Sequence, residues 1–164
     1  MENFNWTSFT KKIAVKAKLT DMYDAWTVAS KIETWFLSQA VYFDTNNNVI
    51  DVNTNVKDGY TYAWNWYAQA HLEKGHIIKA NGKDFIQFSF AGECIVEVTL
   101  TEENDVVIVA LTQKNIPMDD LSKQNIRLGC ATGWSFFLVN LKSVYEGGLD
   151  LRNKSMDYIT MVNN

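Results

Sequence analysis

Ile126-Arg127-Leu128-Gly129-Cys130-Ala131-Thr132-Gly133-Trp134-Ser135-Phe136-Phe137-Leu138-Val139-Asn140-Leu141-Lys142-Ser143-Val144 is the stretch on which the fold turns. Ile126, Cys130, Trp134, Phe137, Leu138, Leu141 and Val144 recur at spacings of three and four, which predicts a long helix with one apolar face. The stripe is wide and rich in aromatic rings, as expected of a helix laid into a sheet. Pro117, the one proline, stops the chain before it. Asp119 or Ser122 can cap its start, and Gly147-Gly148 ends it. Gly129 and Gly133 interrupt the stripe, each costing about 1 kcal/mol against alanine. They serve either a close approach of the helix to its neighbours or a gap that opens a pocket.

Upstream of Pro117 the period changes from 3.6 to 2. Tyr60, Tyr62, Trp64 and Trp66 alternate with small or polar residues, as do Ile86, Phe88 and Phe90, then Cys94, Val96, Val98 and Leu100, then Val107, Val109 and Leu111. Lys74-Gly75, Asn81-Gly82, Ala91-Gly92 and the Glu102–Asp105 segment read as punctuation, Asn-Gly being the strongest hairpin signal. Strands so close in sequence pair antiparallel with one face wet. Val106 to Leu111 is apolar on both faces, which predicts partial cover for its outer face.

The chain starts similarly. Ile13, Val15, Ala17 and Leu19 alternate with Lys12, Ala14, Lys16 and Lys18, a strand. Thr20 reads as the N-cap of a helix that carries Met22, Ala25, Trp26 and Ala29 on one face. A short helical stretch follows over 31–36, then a brief strand over 41–43 and an Asn/Asp-rich loop over 44–58. The fold predicted is α+β: a curved antiparallel sheet wrapped around a long C-terminal helix, with two short helices after the first strand. One domain spans 1–164, its core over about 9–154.

Composition narrows the function. Hydrophobic residues are 47% of 164, with six Trp, enough for a large core. Only Arg127 and Arg152 are arginines and the net charge is −4, so the electrostatic footprint for nucleic acid is missing. No run approaches the roughly 18 apolar residues of a membrane span. The N-terminus lacks a leader's basic and apolar regions, and Cys94 and Cys130 form no CxxC. A cytoplasmic protein with two free thiols is expected.

Asp24-Ala25-Trp26-Thr27, Lys31-Ile32-Glu33-Thr34-Trp35-Phe36, Gly59-Tyr60-Thr61-Tyr62-Ala63-Trp64, Gly133-Trp134, Asn140-Leu141-Lys142 and Glu146-Gly147-Gly148-Leu149-Asp150-Leu151-Arg152 resemble, in order and spacing, the family of homologues of the activator of heat-shock-protein-90 ATPase. That resemblance runs from about Phe9 to Lys154. It implies a helix-grip fold of the START-like superfamily, which also holds polyketide cyclases, pathogenesis-related proteins and lipid-transfer domains. The eukaryotic co-chaperone is similar only in its C-terminal domain and engages the chaperone through a separate N-terminal one. Its activity is therefore not expected to carry over to this chain.

The residues point to binding rather than catalysis. The predicted pocket lies between sheet and C-terminal helix, lined by Trp35, Phe43, Tyr62, Trp64, Phe88, Phe90, Val98, Val109, Trp134, Phe137, Leu138 and Leu141. Its occupant would be an apolar small molecule or a lipid. The alternatives are a protein-interaction module acting on a chaperone or other protein, as in a stress response, and a cyclase- or hydrolase-type enzyme. His71 and His76, with Glu73 between them, are read as surface histidines, Glu97 as solvent-facing, and Asp150 with Arg152 as a tie for the tail. No catalytic residue, cofactor or metal is assigned, since the dispersed Cys and His lack zinc-ligand spacing. Elemental analysis of the purified protein is expected to find no stoichiometric zinc. A full equivalent per chain would overturn that expectation.

Overall fold

Seven strands form one sheet in the order β1-β7-β6-β5-β4-β3-β2, every neighbouring pair antiparallel, in a computed structural model that describes residues 4–164. β1 is Phe9–Val15, β2 Gln39–Phe43, β3 Thr61–Asn65, β4 Leu72–Ala80, β5 Phe85–Ser89, β6 Ile95–Glu103 and β7 Val106–Lys114. Two helices, α1 (Leu19–Thr27) and α2 (Ala29–Ile32), follow β1. After β7 come α3 (Asp120–Ser122), a π-helical stretch over Lys123–Cys130, and α4 (Ala131–Tyr145). The predicted α+β helix-grip arrangement is present.

The alternation read in the sequence decides which face is buried. Val96, Val98 and Leu100 of β6 and Val107, Val109 and Leu111 of β7 point inward, with Ile86 and Phe88 of β5 and Tyr62 and Trp64 of β3. α4 meets them with Trp134, Phe137, Leu138 and Leu141, and α1 with Met22, Ala25 and Trp26. The outer face is polar where predicted: the Glu97 carboxylate accepts from Gln87 Nε2 and Lys114 Nζ, both at 2.6 Å. Val106, Ile108 and Ala110 on that face are half-buried. A bulge in β4 between Ile77 and Lys79 adds a residue against β5 and bends the strand. Asn104 and Asp105 both take positive φ in the two-residue turn from β6 to β7.

Three local expectations need correction. β1 ends at Val15, and Leu19 already belongs to α1, whose N-cap is Lys18 rather than Thr20. Lys74-Gly75 is no turn but lies inside β4. Gly75 is there because the Tyr62 ring crosses it: a Cβ would stand 2.5 Å from the Tyr62 hydroxyl and 2.6 Å from Ser89 Oγ. Phe43 stands on the opposite face of β2 from Ala40 and Tyr42, the two that β2 buries, because successive side chains alternate.

α4 ends as Gly147-Gly148 predicts. Gly147 (φ +80°) donates to the Val144 carbonyl and Gly148 to that of Ser143, the pairing that closes a helix with a left-handed residue. The chain then turns back onto the domain. Arg152, buried, donates to the carbonyls of Leu37 (2.8 Å) and Glu33 (3.0 Å) and forks onto both oxygens of Asp150 (2.9 and 2.7 Å). Asn140, also buried, links the same pieces by donating to the Trp35 carbonyl and to Asp150, and it accepts from the Leu151 amide.

Burial alone would raise the Asp150 pKa, but hydrogen bonds from Arg152 and Lys154 outweigh it and hold the carboxyl well below its usual range. A depressed folded-state pKa stabilises fully above the unfolded carboxylate value of about 4, and that stabilisation is lost as pH falls from there toward the folded value. Arg152→Ala is expected to cost about 3–5 kcal/mol in urea unfolding, since it strands a partly buried carboxylate and two carbonyls. It should also flatten the loss of stability below about pH 4. A cost under about 0.5 kcal/mol would show the latch to be incidental.

Candidate functional site

Where α4 begins, the helix and the sheet part. The opening is a pocket of about 370 Å³ between the π-helical stretch with the first turns of α4 on one side and the ends of β3, β4 and β5 on the other. Its apolar lining is Phe36, Trp66, Phe90, Trp134 and Phe137; its polar lining is Gln69, His71, Glu73 and Asn125. Phe36 holds the aromatic group together. Its ring centroid lies 4.9 Å from Trp134 (stacked), 4.8 Å from Phe137, 5.4 Å from Trp66 and 5.8 Å from Trp64. Phe90 closes the circle, 5.2 Å from Trp134 and 6.3 Å from Trp66.

The helix wall is built from small residues. Gly129, Cys130 and Gly133 line the pocket, with Asn125 one wider π turn earlier. A Cβ at Gly133 would meet no atom within 4 Å, and one at Gly129 only the Gln124 carbonyl, at 3.6 Å. The close-approach reading of these glycines thus finds no support; space lies in front of them. π-helical turns are rare and are frequently found at functional sites.

On the sheet side, β4 directs Glu73, Gly75 and Ile77 to the interior face, and Glu73 stands opposite Trp64 in register. Glu73 accepts from the Ala91 amide (2.8 Å) through Oε1 and pairs with His71 Nε2 (2.9 Å) through Oε2. Its side chain is only 12% exposed, against 64% for His71. The His71 ring lies nearly parallel to Trp66, centroids 6.5 Å apart. His76, farther along β4, has Nδ1 3.2 Å from Ser89 Oγ.

Little here is set up for nucleophilic chemistry. Burial pushes the Cys130 thiol up to about 11 and raises that of Cys94, so neither is a thiolate near neutral pH. Tyr62 donates to the Ser89 carbonyl at 2.6 Å, and burial, with the Glu73 charge behind it, raises its pKa. Gln113, fully buried, accepts from Trp134 Nε1 at 3.0 Å and ties α4 to β7. Among the described residues no three His, Cys, Asp or Glu side chains converge as a metal site.

Of the residues expected to line a pocket, Phe90, Trp134 and Phe137 do so. Trp35, Tyr62, Trp64, Phe88, Val98, Val109, Leu138 and Leu141 are closed into solid core, and Phe43 faces away. The pocket is therefore at one end of the helix rather than along it. Sequence reasoning missed Phe36, Trp66, His71 and Glu73 as lining. The signal for Glu73 was the shared parity of Glu73, Gly75 and Ile77.

Residues 16–146 match the family model described as Activator of Hsp90 ATPase homolog 1-like protein. No curated protein matches the chain. Among solved structures, a protein from Staphylococcus saprophyticus superposes with a TM-score of 0.68 at 17% identity, covering 88% of this chain and 96% of that one. The Aha1 dimer from Colwellia psychrerythraea gives 0.66 at 18%, covering 86% and 97%. A Cytophaga hutchinsonii protein gives 0.61 at 22%, covering 90% and 97%. At these identities the likeness is one of fold. No helix among the described residues is long and apolar enough to cross a membrane.

Because nothing stands before Gly133, Gly133→Ala is expected to leave the fold intact and to stabilise it by up to about 1 kcal/mol through helix propensity. Thermal unfolding checks this; a clear loss of stability would mean that the helix needs the bare backbone there.

Proposed function

This chain belongs to the Activator of Hsp90 ATPase homolog 1-like protein family, and we propose that it is a single binding domain that takes a small apolar molecule into the pocket beside the N-terminal turns of α4, without catalysing a reaction. The observation that carries this reading is the pairing of an aromatic cluster with a helix wall of Gly129, Cys130 and Gly133. Interiors normally close to crystal-like density. Here five large rings border open space instead, and that space lies at the lower end of the usual range for ligand sites, about 300–1,000 Å³. Such a volume suits a compact fused-ring molecule better than an extended lipid chain. Against an enzymatic reading, the thiols of Cys94 and Cys130 are held protonated by burial.

Nile red, a neutral apolar dye, is expected to bind the native protein saturably and to quench Trp66 and Trp134, which border the pocket. Gly133→Leu should weaken that binding at least about tenfold, the equivalent of one lost buried side-chain contact, without lowering the melting temperature. An absence of saturable Nile red binding to the native protein, or unchanged affinity in Gly133→Leu, would sink the proposal.

A further inference from the structure

The polar side of this pocket carries a second device, whose role rests on the pocket being a ligand site. Glu73 is an acidic residue on the interior face of the sheet, opposite Trp64. Placing a carboxylate there costs desolvation that its partners must offset. One partner, the Ala91 amide on Oε1, secures the turn after β5, where Ala91 itself takes positive φ. That contact alone would account for a structural residue. The other oxygen goes elsewhere, to His71 Nε2. A carboxylate can only accept, so Nε2 carries a proton, and in the neutral form of the ring Nδ1 is a bare acceptor. Among the described residues Nδ1 has no hydrogen-bond partner. The ring that bears it stands alongside Trp66, at the mouth of the aromatic box.

We propose that the His71–Glu73 pair is the head-group reader of this pocket, accepting a hydrogen bond at His71 Nδ1 from the hydroxyl of an uncharged aromatic ligand whose ring lies among Phe36, Trp66, Phe90 and Trp134. The class follows from the chemistry on each side. The apolar walls favour a flat ring system, which stacks or packs edge-on against Trp and Phe. An anionic head is disfavoured by the Glu73 charge directly behind the imidazole. A hydroxyl supplies the donor that Nδ1 lacks. Glu73 acts as a positioning residue, fixing which nitrogen of His71 is free.

Naphthalene and 1-naphthol, which share a ring system and differ by the hydroxyl, separate this proposal from the pocket reading beneath it. The wild-type protein is expected to bind both, with naphthol about tenfold tighter, as one hydrogen bond warrants. His71→Phe should keep naphthalene binding and erase the preference. Glu73→Gln should weaken it, because the Gln amide donates to Nε2 and moves the ring proton to Nδ1, which leaves the naphthol oxygen only the weaker role of acceptor. The nitrogen chemical shifts of His71 read that tautomer directly, a change that a merely structural Glu73 would not produce. If Glu73→Gln fails to fold, the exposed His71→Phe variant and the wild-type shifts still decide. Equal wild-type affinity for the two probes, or a naphthol preference that survives His71→Phe, overturns the dyad while leaving the pocket. Failure of both probes to bind overturns the dyad and the pocket reading together.

Discussion

Phe36 is the wedge on which the architecture depends. It comes from the turn after α2 and is almost wholly buried, with Trp35 at 5.3 Å on one side and Trp134, Phe137, Trp64 and Trp66 around the rest. Pairs of rings at such distances add about 0.5–1.5 kcal/mol each beyond area burial. One side chain thus joins the short helices, α4 and β3. It also marks the edge of the solid core: on one side of Phe36 the core closes, and on the other lies the pocket.

The two ends of α4 are built by opposite rules. At its C-terminus polar groups find partners through the left-handed glycine cap, the fork of Arg152 on Asp150 and the bridging amide of Asn140. Arg127 gives the preceding π-helical stretch a different kind of hold, stacking its guanidinium over Phe4 and Phe9 and donating to the Asn5 carbonyl at 2.8 Å. Between these anchors lie two glycines that weaken a helix and part of a wider winding that is itself rare. A segment pinned at both ends can sustain such costs in the middle, and the middle is where the pocket opens.

Glu73 shows the same economy in the sheet. A carboxylate facing inward breaks the rule of apolar-in, polar-out that governs its neighbours Ile77, Trp64 and Tyr62. The departure falls at the pocket and is matched there by the Ala91 amide and by His71. Gly75, two residues on, departs from the rule for a purely steric reason, the passage of the Tyr62 ring over its backbone. Two neighbouring exceptions on β4 thus have different causes. Only the one that places an ionisable group beside open space points to chemistry.

The sequence by itself determined the element order outside β4, the buried parity of β3, β5, β6 and β7, the helical face of Met22, Ala25 and Trp26, the stop at Gly147-Gly148 and the return of the tail through Asp150 and Arg152. Those features are local: periods of 2 and 3.6 and the chemistry of turns and caps operate within a few residues, and a linear pattern carries them. Lys18 in place of Thr20 as a cap, and Gly75 inside a strand, went the other way because backbone context and a ring from another strand override local preference. The pocket was decided only in three dimensions. Trp64 and Trp66 lie two residues apart with the same parity, yet one is sealed in core and the other borders a cavity, because each is faced by residues tens of positions away. Whether Gly133 meets a neighbour or empty space depends on what stands across from it in the folded chain, and no local spacing encodes that.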